Sequence, residues 1–66
     1  MKAKVNGLER ELADGATVAA VLALLDAPPS GVAVAVDGEV VPRAAWETTV
    51  VRDGAAVEVL TAVQGG

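Results

Sequence analysis

The sequence has no cysteine, no histidine, no tyrosine and no phenylalanine, and Trp46 is its only aromatic residue. Without cysteine there is neither a disulfide staple nor a thiolate nucleophile. Without histidine the usual general base is missing, and with both absent so are the common nitrogen and sulfur metal ligands. No stretch approaches the roughly 18 unbroken apolar residues of a membrane helix. The opening Met1-Lys2-Ala3-Lys4-Val5-Asn6-Gly7 lacks the apolar run of a signal peptide. An enzyme in its own right is therefore not expected, and neither is a membrane association; a soluble, cytoplasmic protein is. Basic residues are also scarce. Five Lys and Arg stand against nine Asp and Glu, for a net charge of −4. Nucleic-acid binding calls for a basic stripe and often for aromatic platforms, and neither is present.

What is there is a short chain rich in Ala and Val. Sixty-six residues make one small domain. With few large side chains its core must be thin, and one helix on one sheet is the economical solution. Met1, Ala3 and Val5 alternate with Lys2 and Lys4, which predicts a half-buried strand. Asn6-Gly7 predicts a tight hairpin turn, because both central positions of a type I′ turn need positive φ. Leu8–Leu12 reads as the return strand. After Asp14-Gly15, Thr17 is a natural helix N-cap. Val18, Val21, Leu22 and Leu25 then recur at i, i+3, i+4 and i+7 and form one apolar stripe. The expected helix is Val18–Asp26, ended by Pro28-Pro29.

Beyond a loop at Ser30-Gly31, Val32, Val34 and Val36 alternate with Ala33 and Ala35 as a buried strand. Asp37-Gly38 is a second tight turn, and Glu39–Val41 is a short return that Pro42 ends. Arg43–Thr48 reads as a turn or short helix carrying Trp46, whose expected place is at one end of the core. Val50-Val51 is briefly extended, Asp53-Gly54 is the last turn, and a final strand follows. A last strand laid parallel beside the first would sit centrally under the helix, giving an α+β, β-grasp arrangement of four to five strands. An open antiparallel sheet with the helix across one end is the alternative.

That final stretch carries the functional argument. In Val57–Gly66, Val57, Val59, Thr61 and Val63 share one face, and Glu58, Leu60, Ala62 and Gln64 the other. Gln64-Gly65-Gly66 has no apolar anchor, and two glycines leave the backbone unrestrained. The expected division is therefore a domain over residues 1–63 and a flexible tail over residues 64–66, with the Gly66 carboxylate at its end. A terminal Gly-Gly arises by chance in about 1% of chains of this glycine content, so the dipeptide is weak evidence by itself. Leu60 and Ala62, with Val63 beside them, read either as ordinary exposed apolar residues or as a docking patch ahead of the tail.

The order of elements and several motifs resemble the ThiS family, the ubiquitin-like sulfur carriers of thiamine biosynthesis. Val41-Pro42-Arg43-Ala44-Ala45-Trp46 is similar to the family's Val-Pro-Arg-x-x-Trp segment. Val51-Arg52-Asp53-Gly54, a following strand and the closing Gly65-Gly66 are similar to its carboxy-terminal third. Ala35-Val36-Asp37-Gly38-Glu39-Val40-Val41 fits as well, although the family often has Asn where Asp37 stands. The resemblance implies a β-grasp fold and a carrier that binds no cofactor of its own. A ThiF-type adenylating enzyme would use ATP to activate the Gly66 carboxylate. A persulfide donor would then supply sulfur for a thiocarboxylate, and thiazole synthase would take that sulfur up. A carrier for molybdopterin or another sulfur metabolite, and a ubiquitin-like protein modifier or binding module, are the alternatives.

Overall fold

The computed structural model describes residues 1–27 and 31–61. Pro28, Pro29 and Ser30 lie outside the described residues, as do Ala62, Val63, Gln64, Gly65 and Gly66. Among the described residues, five strands form a single sheet and one α-helix packs on it.

The first hairpin joins β1 (Lys2–Val5) to β2 (Leu8–Glu11). Alternation puts Ala3 and Val5 in the core and Lys2 and Lys4 in solvent. Asn6 has φ +52° and Gly7 φ +79°, the left-handed pair that the turn requires. Leu8 pairs with Val5 and Arg10 with Ala3, so both lie on the core side of the sheet. Leu8 is nevertheless exposed, because β2 is an edge strand.

The helix α1 spans Val18–Leu24. The Ala20 N–H donates to Thr17 Oγ1 at 3.2 Å, which confirms the cap. Two further orphan donors of the first turn are satisfied by the irregular segment before β5: the Val18 N–H donates to the Thr49 carbonyl and the Ala19 N–H to the Trp46 carbonyl. Val18 and Val21 are wholly buried and Leu22 nearly so. Each contributes about 1.5–3 kcal/mol by leaving water, which is what holds a helix too short to persist alone. The helix stops two residues before the expected Asp26, and for a different reason. Asp26 sits at φ +54°. Its N–H donates to the Ala23 carbonyl and the Ala27 N–H donates to the Leu22 carbonyl. Those two bonds form a Schellman motif with aspartate in the left-handed position, so the helix is already closed before the prolines are reached.

Strand β3 (Val32–Val36) turns through Asp37 and Gly38, at φ +50° and +83°, into β4 (Glu39–Val41). Pro42 then leads into a 3₁₀ turn over Arg43–Ala45. Trp46 packs against the core, as expected, and its indole N–H donates to the Val41 carbonyl at 2.9 Å. Val50 bridges to Thr17, and Val51 is wholly buried.

The last strand, β5 (Ala56–Thr61), lies between β1 and β3. It runs parallel to β1 and antiparallel to β3, and the strand order is β2-β1-β5-β3-β4. This is the β-grasp arrangement and not the open antiparallel sheet. The core of Ala3, Val5, Val18, Val21, Val34, Val57 and their neighbours lies between α1 and one face of the sheet. Both edges are blunted: β2 carries Glu9, Arg10 and Glu11, and β4 is three residues long and followed by Pro42.

Candidate functional site: the last strand and the open face of the sheet

The candidate site begins at β5, because every tail residue singled out in the sequence follows it. Val57 and Val59 point into the core, while Glu58 and Leu60 point to the face that the helix leaves open. Leu60 is 65% exposed. Ala33 of β3 stands directly opposite it, and Ala35 stands opposite Glu58. Val40 of β4 pairs with Ala35 and is 77% exposed. The β5-β3-β4 half of the open face is thus mostly apolar, built from Leu60, Ala33, Ala35 and Val40, with Glu58 as its charged residue. The β1-β2 half is charged: Lys4 pairs with Glu9, Lys2 pairs with Glu11, and Lys2 Nζ reaches Glu9 at 3.9 Å.

Of the residues expected to form a docking patch, Leu60 is described and stands on this face. Ala62 and Val63 lie outside the described residues, and so do the tail residues Gln64, Gly65 and Gly66. Sequence reasoning had passed over Val40 and the two alanines as members of the patch. Their signal was present: the Asp37-Gly38 turn fixes the β3–β4 register, and that register carries Val40 to the same face as Ala35.

Side chains of three turn residues fasten the sheet around β5. The Ala56 N–H donates to Asp37 Oδ1 at 2.9 Å, and the Asp37 N–H donates back to the Ala56 carbonyl at 2.8 Å. The Lys2 N–H donates to Asp53 Oδ1 at 2.8 Å, and the Gly54 N–H donates to the Lys2 carbonyl at 2.7 Å. At the far end, the Val59 N–H donates to Asn6 Oδ1 at 2.8 Å, and Asn6 Nδ2 donates to the Val59 carbonyl at 3.2 Å.

The Pro-Arg-x-x-Trp segment lies on the helix side. On the 3₁₀ turn, residues three apart are eclipsed, and the Arg43 guanidinium sits over the Trp46 ring, 5.9 Å from its centroid. That cation–π contact gives Arg43 a partner within its own turn. An open cleft of about 640 Å³ runs between α1 and this turn, lined by Leu22, Ala23, Asp26, Arg43, Trp46 and Glu47. It is on the opposite side of the sheet from Leu60. Among the described residues there is no group of three or more potential metal-binding side chains, and no helix is long and apolar enough to cross a membrane.

Comparison with known proteins agrees with this architecture over the whole chain. Residues 3–66 match the model of the ThiS family. The crystal structure of a thiamine biosynthesis protein (ThiS) from Geobacter metallireducens is 38% identical, with a TM-score of 0.79 and full coverage of both chains. The solution structure of a thiamine biosynthesis protein from the same organism is 36% identical, with a TM-score of 0.82, covering all of this chain and 88% of the other. No curated protein matches the chain. With the family match spanning nearly every residue and the fold shared end to end, this chain belongs to the ThiS family, the small β-grasp sulfur carriers of thiamine biosynthesis.

Proposed function

We propose that this chain carries sulfur as a thiocarboxylate on Gly66 and delivers it to thiazole synthase. A carboxylate is a poor electrophile, because resonance and negative charge both discourage attack. In the first step a Gly66 carboxylate oxygen attacks the α-phosphorus of ATP within a ThiF-type enzyme, releasing pyrophosphate and leaving an acyl-adenylate. The terminal sulfur of a persulfide donor then attacks the carbonyl carbon, and AMP departs with the electron pair of the broken C–O bond. A second thiolate cleaves the resulting acyl disulfide. It takes the donor's sulfur as a new disulfide and leaves the thiocarboxylate on Gly66. The sulfur nucleophiles, any base and the ATP site all belong to the partners, and the chain itself binds no cofactor.

The observation that supports this reading best is the position of β5. It is the central strand, and Thr61 lies past the level of Val5, where β1 ends opposite Val57. Gly66 follows Thr61 by five positions, which in an extended chain is a reach of about 17 Å. The exposed Leu60 stands beside the root of that segment, and the exposed Val40 lies two strands away on the same face, level with Glu58; an adenylating enzyme would dock there. Glycine at 65 and 66 adds no Cβ where a partner's channel must be narrow.

The test is an intact mass of the protein after incubation with the adenylating enzyme, ATP and a sulfur donor. Replacement of one oxygen by sulfur at the carboxy terminus is the expected result, and Gly66→Ala is expected to bind the enzyme yet be converted far more slowly. An unmodified chain under those conditions, or adducts on lysines of other proteins, overturns the proposal.

A further inference from the structure

The Asn6 side chain makes two long-range hydrogen bonds that its place in a hairpin turn does not require. In the parallel pair of β1 and β5, the Lys4 N–H donates to the Ala55 carbonyl and the Asn6 N–H donates to the Val57 carbonyl. The next rung would need a backbone partner for Val59, but β1 has ended at Val5 and the chain reverses through Asn6 and Gly7. The Asn6 carboxamide fills that place. Oδ1 accepts from the Val59 N–H at 2.8 Å, and Nδ2 donates to the Val59 carbonyl at 3.2 Å. A carboxamide has the donor and acceptor of a peptide group on one planar unit, so it extends the ladder by one rung without a further strand residue.

We infer that Asn6 is a positioning residue for carrier activity: its carboxamide holds the β1 side of β5 at Val59, beyond the end of β1, while β3 holds the other side, and the two together fix the point from which the residues after Thr61 are presented to the adenylating enzyme. This rests on the function proposed above. Without the carboxamide, the side of Val59 that faces β1 has no strand residue opposite it, and the last parallel rung falls back to Val57. Val59 is then held only from the β3 side, where Val34, Ala33 and Val32 pair with Val59, Leu60 and Thr61, and the end of β5, with Leu60 on it, frays more readily. The partner must re-order that backbone on binding, at a cost in conformational entropy. The cost appears in association and not in the chemistry at Gly66.

Asn6→Gly separates these effects, because glycine tolerates the left-handed turn while removing the carboxamide. Amide hydrogen exchange at Val59, whose N–H donates to the carboxamide, is expected to accelerate by about tenfold or more relative to Val34 and Val5. KM for the carrier in the adenylation assay is expected to rise by about tenfold, which corresponds to ~1.4 kcal/mol, with kcat changed by less than about twofold. Asn6→Asp keeps the acceptor for the Val59 N–H and the turn preference but loses the donor, so its KM should fall between the two. If exchange at Val59 is unchanged in Asn6→Gly, the rung is not what holds the strand and the inference fails. It fails too if exchange accelerates while KM stays at the wild-type value, or if kcat falls and KM does not move. Absence of any adenylation of the wild-type chain instead overturns the underlying function, and the exchange measurement still decides the clamp.

Discussion

Asp26 is an L-residue where glycine is usually found. At φ +54° it closes α1 through two backbone hydrogen bonds, and its Cβ strains against the neighbouring carbonyl. Asp26→Gly relieves that strain and loses part of the gain to the greater freedom of glycine in the unfolded chain. A net stabilisation of about 0.5 kcal/mol, seen as a rise in Tm of about 2–4 °C, is expected in thermal unfolding; a fall in Tm would mean that the aspartate carboxylate has a favourable partner of its own. The amino terminus makes a second residue-level case. The Met1 ammonium donates to the Leu12 carbonyl at 3.0 Å and sits 3.2 Å from a Glu11 oxygen and 3.4 Å from Asp14 Oδ1. The hydrogen bond to Glu11 holds its pKa above the ordinary value of 8.0, with desolvation opposing and Asp14 reinforcing. A folded-state pKa that is raised means stability fully present below pH 8 and lost as pH climbs through the raised value. The Tm difference between the free and the amino-terminally acetylated protein should therefore be largest at neutral pH and shrink in alkaline buffer. A difference that does not vary with pH would dismiss the clamp.

At the scale of elements, the sheet offers two unlike faces. One is sealed by α1; the other carries Leu60, Val40, Ala33 and Ala35 with nothing over them among the described residues. Leu60→Glu replaces a large exposed apolar side chain of that face with a second carboxylate beside Glu58. It is expected to weaken affinity for the adenylating enzyme by about tenfold or more, in the range of an interface hot spot, while leaving Tm within the ~0.5 kcal/mol of an ordinary surface change. Titration calorimetry on the variant reads the first quantity and thermal unfolding the second; an unaltered affinity would remove this face from the docking surface. Most of these elements were legible in the sequence for local reasons. Period-two alternation marks β1, β3 and β5, the i, i+3, i+4 stripe marks α1, and Asn-Gly and Asp-Gly mark the turns. Leu60 was placed on the open face by the same counting. What was hidden depends on contacts remote in sequence or on backbone angles. Asn6 and Val59 are 53 positions apart, and no local pattern tells a turn asparagine from one that also pairs with another strand. The early stop of α1 was missed because aspartate seldom takes the left-handed position that glycine prefers, so the prolines two residues further on drew the boundary.

As a whole, the molecule is a small domain with a thin aliphatic core. Its buried residues are chiefly valine and alanine, and its only large aromatic closes one end of the core through Trp46 and the Val41 carbonyl. Nothing in such a core is specific to sulfur. For that reason the family resemblance, more than the composition, pointed to thiamine biosynthesis. The net charge of −4 keeps the domain soluble and favours a partner surface of opposite sign.

The parallel pairing of β1 with β5 has a practical consequence. Lys2 lies level with Gly54, since the Gly54 N–H donates to its carbonyl, and Thr61 is seven positions further along, about 23 Å at strand spacing. A fluorophore or affinity handle joined to the amino end would therefore stand clear of the end of β5, from which the proposed thiocarboxylate segment continues. It would also replace the Met1 ammonium with an amide, so the labelled protein should be somewhat less stable at neutral pH while remaining a good substrate.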